Sequence, residues 1–245
     1  MGLFSKIARS VDNFFLKRIY QPDIWAIFFN DSYFIRKGIY NGIKHYSKEF
    51  NGKLLDFGCG RKPYRNLFHV DEYIGIDLKR EDEWTKQYAD VLYDGTVLPF
   101  QDHYFDGVLS TEVIEHLPNE ELAIQELYRI LKPGGRILIT VPFVWNEHGV
   151  PYDYRRYTSF GISELLKKYG FSDIQVRKNS TFIETLVQLW CIYLVTFLNT
   201  RFSYLNMFLN FLFISPFILV GVIFSAILPA NRTLFINTIV YARKH

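Results

Sequence analysis

Hydrophobic positions along this chain follow three patterns, and each predicts a different element. Through the middle, short apolar runs end at an acid or a glycine: Leu54-Leu55 before Asp56, Tyr73-Ile74-Gly75-Ile76 before Asp77, and Phe105 to Ser110. Ile137-Leu138-Ile139 follows Lys132-Pro133-Gly134-Gly135 in the same manner, and residues 171–176 and 238–243 add two more runs. Runs of this length between turn residues read as buried strands. The second pattern opens the chain. Leu3, Phe4, Ile7, Val11, Phe14, Phe15 and Ile19 recur at helical spacing, with Lys6, Arg9, Lys17 and Arg18 on other faces. It predicts a basic amphipathic helix that lies on an anionic membrane surface or packs its stripe on the domain. The third pattern follows Arg177-Lys178, where residues 186–198 are apolar apart from Gln188 and Thr196 and residues 207–228 carry no charge. Crossing a bilayer takes about 20 residues, so the second run is long enough and the first is short.

The segment Leu54-Leu55-Asp56-Phe57-Gly58-Cys59-Gly60 turns from strand to glycine loop. Glycine suits a place where backbone turns sharply and a ligand lies against it. Asp77 ends the next apolar run roughly 20 residues later, the position of an acid that binds ribose hydroxyls. Asp94-Gly95, Leu98-Pro99-Phe100, Phe105-Asp106-Gly107 and Leu131-Lys132-Pro133-Gly134-Gly135 follow in order. With these motifs the chain resembles the class I S-adenosylmethionine (SAM)-dependent methyltransferases of the LDxGCG, LPF, FD and LKPGG subgroup. The likeness covers about residues 50–180 and the last dozen.

The resemblance implies an α/β fold: a Rossmann-like sheet, parallel with an antiparallel last strand, and SAM as cofactor. Gly58 and Gly60 would admit the amino-acid part of SAM, and Asp56 would orient that loop or meet the ammonium. Asp77 would take the ribose hydroxyls. Asp94 with Gly95 would meet adenine, with Asp90 as competitor, while Ser110 and Thr111 would close the fourth strand at the sheet's carboxyl edge. Residues 51–180 would then be the core, 1–50 an N-terminal helical segment, 181–231 an apolar helical insertion and 232–245 the final strand. Both ends of the insertion must return to one sheet, so a single bilayer crossing is excluded. Arg201, Pro216 and Gly221 favour a bent hairpin dipping into one leaflet, a probable membrane anchor; a helical subdomain packed on itself or on a second copy is the alternative.

Net charge is only +3, so no nucleic-acid partner is expected. The two cysteines, Cys59 and Cys191, sit in unlike contexts and favour a reducing compartment. No secretory signal opens the chain, which places the expectation at the cytoplasmic face of a membrane.

Two clusters compete for the chemistry. Residues 146–158 resemble the HExPxDYxRYT segment of methyltransferases associated with cell-surface polysaccharide synthesis. There His148 suits a general base, Arg155 and Arg156 can grip phosphate, and Tyr152 and Tyr157 can stack on sugar rings; a clamped lid loop is the alternative. In Glu112-Val113-Ile114-Glu115-His116, spacing i, i+3, i+4 on a helix would gather Glu112, Glu115 and His116. His116 is thus a second catalytic candidate. Together with His148 the set would suit Mg²⁺ or Mn²⁺, a pattern similar to that of small-RNA and some quinone-pathway O-methyltransferases. Relatives with Glu-His-Leu here commonly use no metal, and none is the expectation. The expected function is methylation of a sugar on a lipid-linked or surface polysaccharide by an enzyme at a lipid surface. A quinone or lipid head group is the alternative acceptor, and a non-catalytic SAM-fold scaffold the alternative class.

Overall fold

The computed structural model describes residues 14–79 and 87–245. Leu3, Phe4, Ile7 and Val11 of the expected N-terminal stripe lie outside them; residues 14–20 are helical. The chain forms two compact units, Gly42–Asn179 with Ile236–His245, and Met1–Asn41 with Ser180–Phe235. N-terminal segment and insertion therefore belong to one unit, and the sheet unit starts at Gly42, before the expected boundary at residue 51.

The sheet unit has seven strands: β1 Lys53–Phe57, β2 Glu72–Leu78, β3 Val91–Tyr93, β4 Phe105–Thr111, β5 Leu131–Pro142, β6 Phe171–Lys178 and β7 Asn237–Lys244. Their order is β3-β2-β1-β4-β5-β7-β6. The first five run parallel, and β7 lies antiparallel between β5 and β6. Central strands are covered on both faces, which is why β1, β4 and β5 read as near-continuous apolar runs rather than alternating ones. Helix α1, Tyr33–Tyr46, ends in this unit, where the Tyr46 ring stacks on Tyr241 at 5.1 Å. Helix α2, Glu120–Ile130, starts where the Asn119 side chain accepts the Leu122 N–H, and it buries Ile124, Leu127 and Ile130. Helix α3, Ser159–Lys168, starts where Thr158 Oγ1 accepts the Gly161 N–H, and it buries Ile162 and Leu166. Both use ordinary N-caps over one apolar stripe. This is the Rossmann-like arrangement, with its ligand edge at the carboxyl ends of β1, β2 and β4.

In the other unit, α4 spans Phe182–Leu198 behind a capping box between Thr181 and Glu184. After a turn at Arg201, α5 (Ser203–Leu209), a π-helical stretch (Asn210–Ile214) and α6 (Ser215–Ile227) follow as one rod. Within it Tyr204–Ile227 is long and apolar enough to cross a membrane, with mean hydropathy 2.4. The run stays helical through Pro216 and Gly221, with a π-helical turn at Asn210–Ile214 just before the proline. Pro216 stands in the first turn of α6, where its missing N–H leaves no helical bond unmade, and the π turn absorbs the misfit before it. Gln188, a polar exception in the first apolar run, is buried. Its Oε1 accepts the Phe34 N–H at 3.0 Å and its Nε2 donates to the Asp31 carbonyl at 2.7 Å, capping the start of α1. At the base, the Phe182 N–H donates to the Asn231 carbonyl at 2.7 Å, so the two ends of the insertion meet.

Candidate active site

The glycine turn after β1 is hooked onto β2. The Gly58 and Cys59 N–H groups both donate to the Ile76 carbonyl, at 2.9 and 3.1 Å. Gly58 has φ +72°, and a Cβ there would stand 2.4 Å from Val113 Cγ2, so no other residue fits. Asp77 Oδ2 accepts the Gly60 N–H at 3.0 Å and Oδ1 accepts the Leu78 N–H at 2.8 Å, fixing this carboxylate at the mouth of the turn. A shallow cleft of about 40 Å³ is lined by Phe57, Tyr93, Gly95, Thr96, Leu98 and Leu117 among others. Phe57 and Tyr93 end β1 and β3, so the cleft lies at the carboxyl edge of the sheet. The glycine turn and the strand-end acid fit the amino-acid and ribose parts of SAM, and the cleft of mixed polarity at the same sheet edge fits its adenine.

The other expected cofactor residues are placed differently. Asp56 is buried and accepts the Tyr73 O–H at 2.6 Å; it is not among the cleft-lining residues. Burial pushes its pKa up to about 7. Its place is to tie β1 to β2 under the glycine turn. Asp94 Oδ1 accepts the Thr96 N–H and O–H at 2.9 and 2.6 Å, and these bonds hold its pKa below the usual carboxylate value. It shapes the loop that carries Gly95 and Thr96. Asp90, the competitor, accepts from Lys62 Nζ at 2.5 Å and the Gly75 N–H at 2.7 Å, which commits it to β2. Ser110 and Thr111 end β4 with their hydroxyls buried and unpartnered among the described residues.

Beyond β4 the expected helix is absent. Glu112 takes φ +54°, and only Ile114–His116 makes a helical turn, of the 3₁₀ kind. The reason is Glu112 itself. Its carboxylate accepts from Thr140 Oγ1 at 2.7 Å and Asn237 Nδ2 at 2.6 Å, drawing the residue into the sheet and away from the proposed ligand set. Glu115, His116 and His148 do converge, with one ligand atom from each inside 4.8 Å of the others. Glu115 is fully buried, and neither carboxylate oxygen has a hydrogen-bond partner among the described residues. Burial, and then the neighbouring Glu112, raise its pKa well above the ordinary value. Burial and the adjacent His116 lower that of His148, favouring its neutral form.

The loop that carries His148 is held from both sides. Gly149, at φ +63°, lets it lie on the His116 ring, where a Cβ would sit 3.1 Å from Cε1. Arg155 donates to the Leu117 carbonyl at 2.6 Å and the Pro118 carbonyl at 3.2 Å, and pairs with Glu120 at 2.6 Å. Arg156 makes a two-pronged pair with Asp153, at 2.6 and 2.5 Å, and donates to the Asn146 carbonyl at 3.0 Å. Both guanidinium groups are engaged by the loop, as in the clamped-lid alternative to the phosphate grip. Tyr152 is exposed, whereas Tyr157 is half-buried with its hydroxyl buried.

Residues 55–139 match the family model for a methyltransferase domain. The matched residues, under half of the chain, resemble a methyltransferase domain. Phosphoethanolamine N-methyltransferase 2 of Caenorhabditis elegans is 44% identical over 97 residues, covering 36% of this chain and 22% of that protein. The chain thus spans under a quarter of that relative's length. An uncharacterized protein of Methanocaldococcus jannaschii is 27% identical over 191 residues, covering 71% of this chain and 83% of that protein. The crystal structure of a SAM dependent methyltransferase from Archaeoglobus fulgidus superposes with a TM-score of 0.54 at 17% identity, covering 91% of this chain and all of that one. Fold, domain family and glycine cradle agree on SAM as the methyltransferase domain's cofactor.

Sequence reasoning missed several residues that build the site. Tyr73 holds Asp56, Val113 fills the space left by Gly58, and Asn237 diverts Glu112. Only Asp153 left a signal, as the acid inside the His148–Thr158 segment.

Proposed function

We propose that the protein is a SAM-dependent methyltransferase working at a lipid surface, with a hydroxyl of a lipid-linked or surface saccharide as acceptor. The observation that carries the membrane half is the outer face of the α4–α6 hairpin. Trp190, Tyr193, Phe197, Phe208, Phe224 and Ile227 are all exposed there, far beyond the scattered apolar residues of an ordinary water-facing helix pair. Both ends of the hairpin meet at its base, which suits an anchor entering and leaving from one side.

SAM, when bound, supplies an electrophilic methyl group. The chain's part is to align the acceptor and remove its proton. With SAM supplying the methyl group, His148 would take the proton that the acceptor hydroxyl gives up. Tyr152 offers an exposed ring at the rim for a sugar.

A bilayer-dissolved acceptor such as a quinone or lipid head group is the second reading, favoured by the same apolar face. Labelled methyl groups from SAM, followed into membranes incubated with the protein, separate the two. Label released with saccharide by mild acid supports the first reading, and label in the lipid or quinone fraction replaces it with the second. His148→Ala is expected to abolish transfer while SAM binding persists; undiminished transfer removes His148 from the reaction. If the chain partitions into buffer without detergent, and does so equally with residues 182–230 deleted, the membrane half is wrong.

A further inference from the structure

Hydrogen bonds fix where each imidazole carries its proton. His116 Nδ1 lies 2.7 Å from the Tyr152 carbonyl, so it is the donor nitrogen. His148 Nδ1 faces the Asn146 carbonyl at 3.3 Å and Asp153 Oδ2 at 3.3 Å, acceptors only, so it too carries the hydrogen. Both Nε2 atoms are then lone pairs, yet they face one another at 3.1 Å. Glu115 adds a third lone pair, its Oε1 3.8 Å from His116 Nε2. Three potential ligand atoms thus converge, and the Glu115 carboxyl group among them is fully buried and unpartnered among the described residues.

We infer that Glu115, His116 and His148 bind a single divalent first-row transition cation. The spacing suits one: two nitrogens each about 2.1 Å from an ion stand roughly 3 to 3.4 Å apart. Both ring N–H groups donate away from the point of convergence, to a carbonyl or a carboxylate, as ligating imidazoles do. Two imidazoles with one carboxylate favour Mn²⁺, Co²⁺ or Zn²⁺ over Mg²⁺, which prefers oxygen and water. Glu112, engaged by Thr140 and Asn237, is not a ligand. The site adjoins the cofactor cradle in sequence and space, since Val113, which fills the gap at Gly58, opens the segment that carries Glu115 and His116.

A bound cation deepens the proposed function. His148 Nε2 then holds the ion and no longer receives the proton, and a hydroxyl at an open position is acidified by the metal. The two uses of the nitrogen exclude one another, so the test reads metal binding without any acceptor or turnover. The full chain in detergent is titrated with Co²⁺, following visible absorption and melting temperature, with Mg²⁺ in parallel and SAM affinity as the measure of an intact fold. The expected result is one equivalent of Co²⁺ with d–d bands and a raised melting temperature. His148→Ala and Glu115→Gln should weaken this by about 100-fold or more while SAM binding is kept. Absence of a Co²⁺-dependent band or melting shift at millimolar metal, or equal binding by both variants, overturns the site. Such a failure leaves the methyltransferase reading standing, with a shared proton between the histidines.

Discussion

Replacing Arg156 with alanine separates a loop clamp from a substrate grip. Its guanidinium meets both oxygens of Asp153, a carboxylate whose side chain is 3% exposed, while Arg156 itself is 24% exposed. Removing one partner of a buried pair costs about 3–5 kcal/mol, since the other is left charged and dry. Two features reduce that figure: Arg156 is part-solvated, and Asp153 keeps the His148 N–H at 2.9 Å. A loss of about 2–3 kcal/mol follows. In a chain of this size it corresponds to a fall in melting temperature of roughly 5–10 °C. Arg156→Lys restores the charge without the fork and should recover about half of the loss. Thermal melting without acceptor, with SAM affinity measured by calorimetry, reads both. The clamp predicts destabilisation with SAM affinity unchanged. A variant that melts like the parent and shows only a raised KM for acceptor would refute it, returning Arg156 to the substrate.

Two further changes address the cofactor cradle. Gly58→Ala forces a Cβ to 2.4 Å from Val113 Cγ2 at φ +72°, so SAM affinity should drop by about tenfold or more and the chain should lose about 1–3 kcal/mol; unchanged affinity in calorimetry would show that the turn has room to spare. Asp56 bears on pH. Its pKa rises on folding from 3.8 to about 7, so the neutral form is the favoured one in the fold. Stability from this group is complete below the unfolded pKa and is lost as pH rises through about 7, by about 4 kcal/mol at most. Urea midpoints of Asp56→Asn should therefore change less than those of the parent between acid and neutral pH, and equal slopes would dismiss the effect.

Strands and cradle were legible in the sequence because local pattern determines them: apolar runs, glycines and strand-end acids need only their neighbours to be read. The position of β7 beside β5 came instead from the resemblance, which implies a sheet ending in an antiparallel pair. Residues 112–116 were misread because helical spacing is also met by a loop. What breaks the helix is Asn237, over a hundred residues away, reaching the Glu112 carboxylate. The partners of Arg155 and Arg156 were hidden for a related reason. They are mostly backbone carbonyls, which carry no residue signature. Pro216 signals a break in any apolar run, and the π turn that accommodates it is invisible until the backbone is seen.

The place of β7 sets an order of events during synthesis. The strand that joins β5 to β6 is made after the entire apolar hairpin, so a growing chain exposes that hairpin while its sheet is still split in two. Until the last strand leaves the ribosome, the Asn237 side chain that holds Glu112 is missing, and Glu115, His116 and His148 have no fixed wall behind them. The most apolar part of the chain is thus complete before the sheet beneath the candidate site closes.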